Sequence, residues 1–160
     1  HWTLLMANRM VAALLGGIPA ALPQPPVNVV RLTLHPKGLA PRIRNLRQWR
    51  THVLERVAHQ AALSADQVLI DLLAELKSFA LPRGSASDVS PNALADGGDV
   101  FVPLQLESDV GVLSLISTTT VFGTPIDITL AELALECFFP ADTATAERLR
   151  AVAAANGIGA

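Results

Sequence analysis

Residues 100–122 read VFVPLQLESDVGVLSLISTTTVF, and the period of this stretch decides the fold. Val100, Val102, Leu104 and Leu106 alternate with Phe101, Pro103, Gln105 and Glu107, the two-residue repeat of a strand with one buried face. Ser108-Asp109-Val110-Gly111 reads as a turn. Val112 to Phe122 reads as a second strand with Leu113, Leu115, Ser117, Thr119 and Val121 on one side. Gly123-Thr124-Pro125 turns the chain again. A third strand, Ile126 to Phe139, has a parity fault, because Ile126, Ile128 and Leu130 share one face while Leu133, Leu135, Cys137 and Phe139 share the other. A β-bulge near Leu130-Ala131 restores one apolar face and leaves Glu132 and Glu136 on the solvent side. The turns are too short for crossovers, so the meander is antiparallel.

Upstream the period changes to 3.6. Leu46, Trp49, Val53, Val57 and Ala61 make one stripe of a helix starting at Asn45. Ser64-Ala65-Asp66-Gln67 has the form of a capping box in which Ser64 and Gln67 satisfy each other's free amides. It opens a second helix with Val68, Leu69, Leu72, Leu73 and Leu76 on its apolar side, and Asp71 and Glu75 pointing away. Val27 to His35 reads as a short helix stopped by Pro36. Asn8 caps another short helix, ended by Gly16-Gly17. Trp2 to Ala7 has the length of a strand, and Pro19 to Pro26 must be a connection. Leu81 to Asp99 is a long polar loop of a kind usually functional or mobile. Asp142 caps a last helix, Thr143 to Ala155, closed by Asn156-Gly157. The whole is an α+β single domain with an antiparallel sheet and flanking helices.

Composition narrows the function. The 160 residues match the roughly 150 of one domain. Charged residues are 16% against roughly 25% in an ordinary soluble domain, and apolar types 51%, the reverse of a disordered chain. Mean hydropathy of +0.40 therefore indicates a large core, or a core plus an apolar cavity or partner surface. Composition does not choose between them. The single cysteine, Cys137, excludes a disulfide scaffold and a Cys-built zinc site. No run reaches the roughly 18 apolar residues of a membrane span, so the expectation is a soluble, cytoplasmic protein. Residues 1–60 hold eight Lys/Arg against one acid, and residues 61–160 hold four against thirteen, so a basic half and an acidic half cancel to a net −2. Such halves either present a nucleic-acid surface or face each other; without interleaved aromatics, internal pairing is the reading adopted.

Catalytic and metal chemistry find little footing. His52 and His59 lie seven apart, about 10 Å along a helix, where a shared metal wants four, and read as solvent-exposed. GxSxG, GxGxxG and HExxH are missing, and Cys137 sits mid-strand as a small hydrophobe. No enzyme is expected. Arg31 and His35, four apart on one helix, can project together and serve a ligand carboxylate, or can be an exposed Arg and a capping His. The series Ser114, Ser117 and Thr118-Thr119-Thr120 is either a solvated strand face or the polar mouth of an apolar pocket.

Three segments carry a family resemblance. Residues 28–39, NVVRLTLHPKGL, are similar to the N-L-x-R-L-x-x-H-P-x-G-L-x-P segment of the MmyB-like ligand-binding domain of XRE-family transcriptional regulators. Residues 117–142, STTTVFGTPIDITLAELALECFFPAD, are the stronger match, and residues 1–9 resemble the family's W-x-L-x-A-N-R opening. The resemblance implies a PAS-like domain that follows a DNA-binding helix-turn-helix and holds a fatty-acid-like or other small apolar ligand. The helix-turn-helix is absent from this chain, which is expected to be a sensory fragment or a protein without its own DNA reader. The resemblance also implies an opening strand that starts before His1, so the sheet is expected to be one strand short, and the exposed edge would invite dimerisation or pairing with another chain.

The resulting expectation is a non-enzymatic sensor with no cofactor, acting as a homodimer on DNA only through an attached or partner helix-turn-helix, with no membrane. Leu115, Val121, Phe122, Leu133, Leu135 and Phe139 would wall the pocket from the sheet, and Leu34 and Trp49 from the helices. Arg31, His35 and Thr118 would be its polar contacts. The rival is a dimerisation module with a solid core.

Overall fold

The computed structural model describes residues 2–19, 21–81, 102–121 and 133–158. Val100, Phe101, Phe122, the turn at 123–125, the bulge at Leu130-Ala131, Glu132 and all but the first residue of the loop begun at Leu81 lie outside them.

Strands β1 (Leu104–Ser108), β2 (Gly111–Val121) and β3 (Ala134–Pro140) form an antiparallel sheet in that order. Leu104 pairs with Leu115 and Leu106 with Leu113, so four leucines share one face, each at most 6% exposed. Onto that face pack α2 (Val29–Leu34), α3 (Leu46–Ser64) and α4 (Gln67–Ser78). The buried residues of α3 are Leu46, Trp49, Val53, Val57 and Ala61, the stripe read from the sequence. Ala65, with φ 52° in the left-handed region, ends α3 and lets α4 fold back along it. The architecture is α+β. No helix among the described residues is long and apolar enough to cross a membrane.

The outer edge of β1 and the part of β2 beyond β3 are both covered. Beside β1, Arg44 donates its N–H to the Gln105 carbonyl, and the Asn45 amide bridges Pro103 O and Gln105 N. Asn45 therefore spends its side chain on the sheet rather than on capping α3. Where β3 ends, α5 (Thr143–Ala155) takes over beside β2: Ser114 N–H donates to Thr145 Oγ1 at 3.0 Å and Arg148 to the Val112 carbonyl at 2.7 Å. Asp142 caps α5 and Asn8 caps α1 (Arg9–Leu14), as expected. At Gly38 a Cβ would run into the Leu32 carbonyl, which explains the glycine after His35-Pro36.

Four expectations are corrected. Trp2 to Ala7 is no strand: a single bridge joins Thr3 to Asn28, because the partner backbone turns directly into α2. The cap of α4 is Asp66, which accepts from Val68 N–H, while Ser64 ends α3 and Gln67 donates to Asp71. Glu75 does not point away but faces α2, drawn by Arg31. In β3 the parity is inverted. Ser117 pairs with Phe138 and Thr119 with Glu136 on the core side of the sheet, so Leu135, Cys137 and Phe139 face away from α3. The cause is an ion pair, since Arg56 of α3 holds Glu136 at 3.1 Å.

Candidate functional site

The residues expected to wall a pocket fall in three places. Leu34, Trp49 and Leu115 are each 3% exposed within one core cluster. Thr118, Leu135 and Phe139 lie on the sheet's outer face, the last two half exposed, and Leu133 precedes the strand, also exposed. Val121 is on the inner face at the far end of β2, 67% exposed. Phe122 lies outside the described residues.

Arg31 and His35 do project from one side of α2, and both meet α4. The Arg31 fork grips the Glu75 carboxylate through Nε–Oε1 and NH2–Oε2, both 2.6 Å. One turn on, the His35 ring stands edge-on to Phe79 with centroids 5.2 Å apart. The hydrogen bond to Arg31 holds the Glu75 carboxyl below the usual carboxylate range, and the same bond raises Arg31. His35 Nδ1 accepts from Lys37 N–H, so its remaining nitrogen is Nε2. A ligand carboxylate reaching Arg31 must displace Glu75.

A second grouping was not read from the sequence. Trp49, His52 and Arg56 recur at i, i+3 and i+7 along α3, and Trp2 of the N-terminal segment lies across Arg56, whose guanidinium carbon is 4.8 Å from the ring centroid. Arg56 NH1 bonds Glu136 and NH2 bonds Thr119 Oγ1 at 2.8 Å, joining α3 to the β2–β3 ribbon. The Trp49 and His52 rings are tilted against each other at 5.5 Å. His59 is exposed as expected, but His52 is half-buried, so its expected exposure is corrected. Burial first, and then the Arg56 charge, push His52 below the ordinary histidine range, against the weaker pull of Glu55 and Glu136. The one available sequence signal was the spacing of Trp49, His52 and Arg56 beside the apolar stripe.

Among the described residues, three buried side-chain nitrogens have no hydrogen-bond partner: Trp2 Nε1, Trp49 Nε1 and Arg50 Nε. The Arg50 guanidinium still donates through NH2 to the Leu76 and Lys77 carbonyls. The two indoles have no such compensation. Buried polar groups are overwhelmingly paired in folded proteins, which marks these two N–H groups as chemically open positions among the described residues.

A cleft of about 400 Å³ opens elsewhere, between α1, the Ser108–Val110 turn and the end of α5. Arg42 lines it but spends its guanidinium on the carbonyls of Leu14, Gly16 and Glu107. No residue expected at a pocket from the sequence lines this cleft.

The family model of the MmyB-like transcription regulator ligand binding domain matches residues 1–152. No curated protein and no solved structure matches the chain significantly.

Proposed function

The chain belongs to the family of MmyB-like transcription regulator ligand binding domains, and from that premise we propose that it is a non-enzymatic sensor for a small molecule, either apolar or fatty-acid-like. The match across residues 1–152 carries this reading, because it spans both the helical side and the sheet side between which a ligand would sit. Apolar surface supports it: Val121 and Phe138, on the inner face of the β2–β3 ribbon, are 67% and 41% exposed, and a ligand would cover them. Binding would shift a homodimer between two conformations and so alter DNA contact by a helix-turn-helix of the XRE type outside this stretch. It can do so only as far as the ligand's affinity differs between those conformations.

A solid-core dimerisation module remains the second reading, favoured by the near-complete burial of Leu34, Trp49 and Leu115 by other protein groups. Native mass spectrometry of the purified protein, followed by denaturing extraction, separates the two. A stoichiometric apolar molecule released on denaturation is the expected result. An apo mass that persists after incubation with a long-chain lipid extract would transfer the assignment to the dimerisation module.

A further inference from the structure

We propose that the cluster of Trp2, Trp49, His52, Arg56 and Glu136 receives an uncharged carbonyl, such as that of a ketone, ester or amide, at the polar end of the ligand. The inference rests on the sensor reading above and specifies the ligand's head group.

Two observations meet here. The first is a surplus of donors. Trp49 is 3% exposed, and its indole N–H and that of Trp2 are both buried without an acceptor. The aromatic contacts of these indoles fall on His52 and Arg56, one turn apart on α3. A buried donor left open is costly, and an incoming oxygen acceptor relieves that cost where a hydrocarbon does not.

The second is charge balance. Arg56 is neutralised by Glu136, with both side chains about three-quarters buried, and its other arm is held by Thr119. Burial favours the uncharged form of His52. An anion placed here would meet the Glu136 carboxylate without a free cation to offset it, whereas a neutral carbonyl needs only the indole donors. Exposed apolar side chains beside the cluster would take the tail. Val121 and Phe138 share the inner face of the ribbon with Thr119 and Glu136.

Trp2 and Trp49 are the only tryptophans and the chain has no tyrosine, so intrinsic emission reports on this cluster alone. The purified protein is titrated at neutral pH with three probes of equal chain length: 2-undecanone, undecanoate and undecane. The ketone is expected to bind at least about tenfold more tightly than the alkane, and more tightly than the carboxylate. Trp49→Phe keeps an aromatic ring but removes one donor, and is expected to shrink the ratio of ketone to alkane affinity, whatever it does to the two affinities separately. Should Trp49→Phe fail to fold, Trp2→Phe at its half-buried position is read in the same way. Equal affinity for ketone and alkane, a preference for undecanoate, or a ketone preference that survives in the folded variant would each overturn the assignment. Binding of none of the three overturns the sensor reading itself, and the head-group assignment with it.

Discussion

His52 is the residue whose environment makes a statement about pH. Its folded pKa lies below the ordinary value, first through burial and then through Arg56, so the unfolded chain takes up its proton more readily than the folded one. Stability from this residue is therefore fully present above the unfolded pKa of about 6.5, and is lost as pH falls toward the lower folded value. Partial exposure keeps the loss small. Glu75 acts in the same direction but lower, since its depressed carboxyl keeps its contribution until pH falls through the carboxylate range. Urea midpoints measured from pH 7.5 to 5.5 should fall in the parent protein and fall less in His52→Gln, at unchanged m. Parallel profiles would show that some other group sets the dependence.

Among the elements, α5 is held to the sheet by side chains rather than by a strand. Thr145 is fully buried, and its hydroxyl takes the Ser114 N–H that β3, ending at Pro140, no longer reaches. Thr145→Val keeps the shape and strands that N–H, so an unfolding titration should show a loss of about 1–3 kcal/mol. A loss under about 0.5 kcal/mol would mean that the edge reaches water. The ends of α5 and the whole α3 stripe were readable in the sequence because their determinants are local: Asp142 caps Thr145 three residues on, and the α3 apolar positions repeat on one face. The facing of β3 was not. Leu133, Leu135, Cys137 and Phe139 carry the stronger apolar pattern, yet Arg56, eighty residues away, pulls Glu136 inward and fixes the opposite register. The Trp2–Arg56 contact escaped for the same reason, since nothing near Trp2 in sequence announces its partner. The Thr triplet divided as alternation requires, with Thr119 inward on Arg56 and Thr118 outward.

Over the whole molecule, the charge asymmetry closes inward. The three carboxylate ion pairs among the described residues, Arg31–Glu75, Arg44–Glu107 and Arg56–Glu136, each join a base from residues 1–60 to an acid from residues 61–160. Such pairing draws charge away from any basic surface for nucleic acid and leaves apolar area as the conspicuous outer feature. That area lies on the ribbon face opposite α3, where Leu135 is 50% and Phe139 52% exposed on a strand with Cys137 between them. Large exposed apolar side chains grouped this way mark an interaction surface more often than isolated ones do. The proposed homodimer would bury this face. A two-fold contact presents the same patch from both subunits, so one charge introduced on it meets its own copy across the axis. Leu135→Glu combined with Phe139→Glu should therefore convert a dimeric mass in light scattering to a monomeric one. Because both positions already face water in the single chain, the denaturation midpoint of the monomer should change little. A dimer mass that survives both substitutions would place the contact on another surface, and a monomeric parent would remove the dimer from the mechanism.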